Sequence, residues 1–500
     1  MFYKSTRNSN IRITSAQAIT QGISEDGGLF VPEKIPTISA EYIEELSTKN
    51  YIDRAISVLS LYLDDFTKEE LEYCVNGAYG NNKFSSEKTA PVVTLPNGAN
   101  ILELWHGPTC AFKDMALQLL PYLMTTSAKK VGCDKKIIIL VATSGDTGKA
   151  ALDGFSDVEN TGILVFYPED GVSPMQKLQM TTQEGNNVGV SAIVGNFDDA
   201  QTGVKNIFGN REYAEKLAEN GMMFSSANSI NWGRLVPQIV YYISAYCDLV
   251  ADSKIKNGDK INVVVPTGNF GNILAAFYAK EMGLPINKLI CASNINNVLT
   301  DFLTTGTYDK NRKFHTTISP SMDILISSNL ERLLYHLSGQ NDETVKGLMS
   351  ELSTNGKYTV SDELLSKVKA VFEAGYCDDI GTKETIKKYF DAYNYLCDTH
   401  TSVAVNVYDM YREKTKDNTP TVIASTANPY KFSQSVLEAL VDTPESTDEF
   451  SMVEELHKVS GAVCPPQLAD LKGKTPRFTQ SCKKEEMWQT VCDMLFMHKG

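Results

Sequence analysis

The chain has 500 residues, 42% hydrophobic and 22% charged, the composition of an ordinary globular protein with material for roughly two to four domains. A formal net charge of −14, with no run of lysine or arginine, argues against nucleic acid or an anionic membrane as the main partner but leaves room for a small anion in a locally positive pocket. No apolar run reaches the roughly 18 residues of a membrane helix, and the ten cysteines and six histidines show no zinc-ligand spacing, so neither a membrane span nor a metal site is expected.

The first residues, Met1–Asn8, carry no apolar segment of a secretory signal, and ten thiols in such a chain read as reduced cysteines of a cytoplasmic protein. Residues 1–99 mix short helical patterns with turns; Asp26-Gly-Gly28 predicts a tight turn feeding the extended Leu29–Pro32. From about residue 100 strand and helix patterns alternate. Ile101–Trp105 is strand-like, and a helical run from Met115 to Met124 follows the loop after it. The apolar runs Ile137–Val141, Ile163–Tyr167, Val188–Val194 and Ile261–Val265, and more weakly Lys288–Ala292, predict parallel strands covered on both faces. Helices are expected between them, including Ser173–Glu184 and Arg234–Ala251.

The alternation predicts an α/β fold with mainly parallel sheets in two open units. The expected division is an amino-terminal region 1–99, a smaller α/β domain 100–235 and a larger one 236–500 with a helical insertion at about 305–400. Strand character resumes at Thr421–Ala424, and the tail is expected to end in a helix from Cys482 to Met497.

Four strand-end motifs carry chemistry. His106-Gly-Pro-Thr-Cys-Ala-Phe-Lys-Asp114 places Lys113 among small and apolar neighbours just after a strand. Poor hydration there lowers an amine's pKa and frees it for Schiff-base chemistry, whereas most isolated lysines are solvated surface charges. Ala142-Thr-Ser-Gly-Asp-Thr-Gly-Lys149 resembles a nucleotide P-loop at first sight, but Thr143 and Ala150 stand where that motif needs glycine and a hydroxyl residue. A nest of hydroxyls and amides remains, suited to a carboxylate or small phosphate; Ser144 and Thr147 serve equally as helix caps. Pro266-Thr-Gly-Asn-Phe-Gly-Asn272 joins a strand to a helix through Gly-x-x-Gly, which is either a plain turn or a phosphate cradle of helix-start amides. Finally, Ile423-Ala-Ser-Thr-Ala-Asn-Pro-Tyr-Lys-Phe432 presents Thr426 at a strand end, as a ligand-facing hydroxyl or as a cap. A lysine, a phosphate cradle, a carboxylate nest and a neutral hydroxyl together match the needs of pyridoxal phosphate.

With these motifs the chain resembles the threonine synthases, fold-type II pyridoxal phosphate enzymes, in the long form of many bacteria and fungi. The similarity extends to Tyr3-Lys-Ser-Thr-Arg7, Asp26-Gly-Gly-Leu-Phe-Val-Pro32 and Ser319-Pro-Ser-Met-Asp-Ile-Leu325. The resemblance implies a cytoplasmic enzyme that turns O-phospho-L-homoserine and water into L-threonine and phosphate, with no obligate protein partner. It implies that Lys113 holds the cofactor aldehyde, that Gly268, Asn269, Phe270 and Asn272 line its phosphate, and that Thr426 faces its ring nitrogen. Ser144, Gly145, Asp146 and Thr147 are implied at the substrate carboxylate and the cofactor oxygen. Asn231, Arg234 and Lys431 are candidates for the substrate phosphate, with ordinary structural roles as the alternative for each. Two other functions stay open: a phospho-lyase of the same family that releases 2-oxobutyrate and ammonia, and a ligand sensor without activity.

Overall fold

The computed structural model of the chain describes residues 1–143, 145–169 and 172–496. Its strands, in chain order, are β1 (Tyr3–Ser5), β2 (Asn8–Ile13), β3 (Phe30–Pro32), β4 (Val92–Thr94), β5 (Ala99–Glu103), β6 (Lys136–Ala142), β7 (Thr161–Pro168) and β8 (Val188–Ile193). They continue as β9 (Met222–Ser225), β10 (Ile261–Pro266), β11 (Ile286–Ser293), β12 (Thr307–Asp309), β13 (Lys357–Thr359), β14 (Phe372–Tyr376), β15 (Thr421–Ser425) and β16 (Ser481–Cys482).

A six-stranded sheet has the order β14-β11-β10-β15-β5-β4, parallel throughout except for the antiparallel edge strand β4. A five-stranded sheet, β16-β8-β7-β6-β9, is wholly parallel. The apolar runs read from the sequence are the central strands of these sheets: β6, β7 and β10 are buried along almost their whole length, because helices cover both faces. The amino-terminal β1, β2 and β3 form a separate antiparallel sheet. It docks through Tyr3 on Trp232, whose ring also contacts Tyr62 and Tyr278. Trp232 opens the long buried helix Trp232–Ala251.

The sheets group the chain differently from the expected boundaries. Strand β5, placed in the smaller domain by a division at residue 100, pairs with β15 in the six-stranded sheet, so Lys113 leaves the larger unit. The tail returns instead to the smaller one, where β16 pairs with β8 before the helix Met487–Phe496. The segment 305–400 is not purely helical: β12 pairs with β13, and β14 extends the six-stranded sheet next to β11. The helical run after Lys113 is two helices, Asp114–Leu117 and Leu120–Lys130, broken where Pro121 removes a backbone donor.

Candidate active site

Strands β10, β15 and β5 are neighbours in one sheet, so the three loops that leave their carboxyl ends lie side by side. They carry Gly268–Phe270, Thr426–Lys431 and Lys113. Backbone hydrogen bonds weld two of them: Phe112 donates to the Thr426 carbonyl at 2.8 Å and Asn428 to that of Cys110 at 3.0 Å. The start of the helix Asp146–Phe155 faces them from the five-stranded sheet.

Lys113 is 8% exposed, and its Nζ lies 3.8 Å from Asp146 Oδ2 and 3.3 Å from the Ser321 hydroxyl. Burial pushes its ammonium down to about 8 against the pull of Asp146, with Arg234 and Lys431 adding to the effect. An ammonium lowered in this way leaves more free amine near neutral pH than an exposed lysine has. Reductive methylation followed by peptide mass mapping should show Lys113 reacting with a midpoint near pH 8, well below exposed lysines; a midpoint near 10.5 would refute its activation.

Asp146 is the hub of the charges. Its Oδ1 receives Lys431 Nζ at 2.9 Å and Gln176 Nε2 at 3.0 Å. Burial alone would raise this carboxyl, but Lys431 and then Lys113 outweigh it and hold it well below the usual carboxylate range. Its side chain therefore pairs with lysines, and only its backbone amide remains for the substrate carboxylate expected there. The amides of Asp146 and Thr147 have no acceptor among the described residues, whereas those of Gly145 and Gly148 donate to the Thr143 hydroxyl at 3.0 Å each. Gly145 has φ 144°, and a Cβ there would lie 2.5 Å from the Gln176 amide. Ser144, expected in the same nest, lies outside the described residues.

In the loop after β10, Gly268 passes so close to the 321 backbone that a Cβ would sit 2.6 Å from the Ser321 carbonyl. Phe270 is left-handed, with φ 63°, and leads into the helix Gly271–Glu281. The amides of Asn269, Phe270, Gly271 and Asn272 find no acceptor among the described residues. Asn272 Oδ1 accepts from the Tyr241 and Tyr242 hydroxyls at 2.6 and 2.5 Å, while its buried Nδ2 has no partner among the described residues. Orphaned donors at a helix start are the arrangement an anion would satisfy.

Thr426 is 5% exposed; its amide donates to the Thr401 hydroxyl at 3.3 Å, and its own hydroxyl has no protein partner among the described residues. Arg234 is buried, donates to the Ala227 carbonyl at 2.9 Å and meets no carboxylate among the described residues. Asn231, by contrast, is a structural cap. Its Oδ1 accepts from Gly233, and its Nδ2 donates to the Ile19 and Ser226 carbonyls, so the expected contact with substrate phosphate is corrected. Lys431 is fully buried, held by Asp146 and, at 2.8 Å, by the Thr109 carbonyl.

Several site residues escaped sequence reasoning. Ser321 lies in a motif noted only for its resemblance, and its amide donates to His400 Nε2 at 3.1 Å. His400 Nδ1 meets Asp398 at 3.1 Å, which makes Nδ1 the protonated nitrogen. Gln176 carried no sequence signal at all. His400 followed a helix-capping aspartate in a chain whose histidines are scattered, and that cap was its one local signal.

Comparison with known proteins matches this architecture. The model for the threonine synthase N terminus matches residues 2–79 and that for the threonine synthase C-terminal region matches 401–491. Human threonine synthase-like 1 is 42% identical over 435 residues, 85% of this chain; the chain spans only 58% of that protein's length. The threonine synthase of Schizosaccharomyces pombe is 37% identical over 88% of this chain and 89% of its own. The structure of pyridoxal phosphate-bound threonine synthase from Brucella melitensis superimposes with a TM-score of 0.87 at 36% identity, covering 99% of each chain. On these grounds the chain belongs to the threonine synthase family.

Proposed function

We propose that this chain is a pyridoxal phosphate-dependent threonine synthase acting on O-phospho-L-homoserine. The observation that carries the reading is the pairing, along one sheet edge, of an activated buried amine at Lys113 with a row of orphaned donors from Asn269 to Asn272. The donors fit the cofactor phosphate and the amine fits its aldehyde. When bound, the cofactor supplies an electron-withdrawing ring that stabilises negative charge on the substrate carbons. Thr426, with its unengaged hydroxyl, stands for the ring nitrogen.

The protein's own tasks follow from the geometry. The amides of Asp146 and Thr147 bind the substrate carboxylate at a helix start. Arg234, a buried cation without a carboxylate partner among the described residues, is the stronger candidate for the substrate phosphate, since Lys431 already pairs with Asp146. Lys113 Nζ, the activated amine of the site, would collect and return protons at the substrate carbons. The Ser321 hydroxyl and the Asp146 carboxylate orient it. Burial keeps bulk water from the reacting carbons until one molecule is added. Ten free thiols, seven of them buried or intermediate core residues before position 400, suit a reducing compartment such as the cytoplasm.

Purified protein given pyridoxal phosphate and O-phospho-L-homoserine should release threonine and phosphate in equal amounts. Phosphate accompanied mainly by 2-oxobutyrate would establish the phospho-lyase reading, and no phosphate release would remove both.

A further inference from the structure

Behind the orphaned amides stands a second layer of buried polar groups. Ser327 Oγ donates to the Gly268 carbonyl at 2.7 Å. The backbone amide and Nδ2 of Asn329 both donate to the Asn269 carbonyl, at 3.1 Å each. Asn329 is itself held, because Arg332 Nη1 donates to its Oδ1 at 2.5 Å. The same guanidinium reaches the Phe30 carbonyl through Nε at 2.9 Å and the Ile230 carbonyl through Nη2 at 2.6 Å. One side chain thus joins the amino-terminal sheet, the lead into the helix Trp232–Ala251 and the loop after β10.

The peptide plane gives these bonds a consequence. In a trans peptide the carbonyl of one residue and the N–H of the next point in opposite directions. Pinning the carbonyls of Gly268 and Asn269 to residues 327 and 329 therefore turns the N–H groups of Asn269 and Phe270 to the other side, where they have no acceptor among the described residues. Phe270, next in the loop, is left-handed, a conformation that is strained for a non-glycine residue.

Charge points the same way. Arg332 is fully buried and forms no ion pair among the described residues. Its neighbour Glu331 is taken by Arg7, with Nη2–Oε2 at 2.7 Å and Nε–Oε1 at 2.9 Å, and by the Thr6 hydroxyl. Burial pushes the guanidinium down only to about 10, so it stays a cation at neutral pH. A buried cation without a direct counter-charge is costly unless an anion lies nearby.

We propose that Arg332 and Asn329 are positioning residues that aim the amides of the Gly268–Asn272 loop and place a positive charge behind them, so that the protein discriminates a phosphorylated aldehyde from its unphosphorylated form. The proposal rests on the reading of this loop as the cofactor phosphate site. Its prediction is selective: the pair acts on phosphate recognition and not on the reactivity of Lys113.

The test measures dissociation constants of pyridoxal phosphate and of pyridoxal, from Schiff-base absorbance, on cofactor-stripped wild type, Arg332→Met and Asn329→Asp. In Asn329→Asp the carboxylate still accepts from Arg332 but loses the Nδ2 donor to Asn269, so a foldable variant is kept if Arg332→Met does not fold. Each variant is expected to bind pyridoxal phosphate about tenfold or more weakly, as loss of a charge-linked hydrogen bond implies, with pyridoxal binding unchanged within about twofold. Equal weakening toward both aldehydes would show a merely structural role and overturn the proposal, as would unchanged affinity for both. Wild-type protein that fails to prefer pyridoxal phosphate over pyridoxal would overturn the phosphate-loop reading itself, and the proposal with it.

Discussion

Lys113→Ala is expected to abolish the borohydride-reducible adduct with pyridoxal phosphate and to lower turnover by at least about a thousandfold, since covalent attachment and proton transfer are lost together. The expectation rests on burial and on an ammonium brought down to about 8, so that part of it is free amine at neutral pH. Two other lysines lie close enough to be rivals. Lys431 is fully buried, but it is tied to Asp146 at 2.9 Å and to the Thr109 carbonyl. Lys149 pairs with Asp153 at 3.4 Å and with Gln183 on the far side of its helix start. Lys149→Ala should leave the adduct intact. Mass mapping of the reduced wild-type adduct to any lysine other than Lys113 would defeat the assignment.

Asp146→Asn should produce the largest loss of stability, about 3–5 kcal/mol at neutral pH, because removing one charge from a buried set leaves the others uncompensated. Its carboxylate faces Lys113 and Lys431 from the smaller sheet's side, with its side chain only 4% exposed. The pH dependence has a definite sign. The folded carboxyl lies below its unfolded value of about 3.9, so its contribution is present above about pH 4 and is lost as the pH falls through the folded value. The gap between wild type and variant in urea unfolding should therefore be full at pH 7 and close in acid. Because Asp146 holds the Lys113 ammonium up, the variant's Lys113 should also react with a midpoint below 8. A variant as stable as wild type at pH 7, with Lys113 titrating as before, would show that this ion-pair set does not govern the site.

The local texture of this protein was readable from the sequence alone. Continuous apolar runs mark β6, β7 and β10 because a strand buried on both faces needs apolar residues at every position, and that requirement is written in adjacent residues. Lys113, the Gly268–Asn272 loop and Thr426 stood out as candidates for a related reason. Each sits within a few residues of a strand's carboxyl end, where an α/β sheet leaves amides and side chains open to a ligand.

What the sequence did not determine is which strand lies beside which, and which side chains meet across long separations. The boundary at residue 100 failed because β5 pairs with β15, more than 300 positions away, and no local pattern encodes that register. Asn231 had the residue type of an anion contact, and only its three hydrogen bonds identified a cap. Asp146 lay in a motif suited to a carboxylate, and packing placed two lysines against its side chain instead. Arg332 meets Phe30 across 302 residues and Lys431 meets Thr109 across 322. Such contacts depend on how whole sheets and helices pack, since a buried polar group takes whatever partner the assembled core brings within reach; strand ends follow from neighbouring residues, but the partners of buried charges are settled only by the tertiary fold.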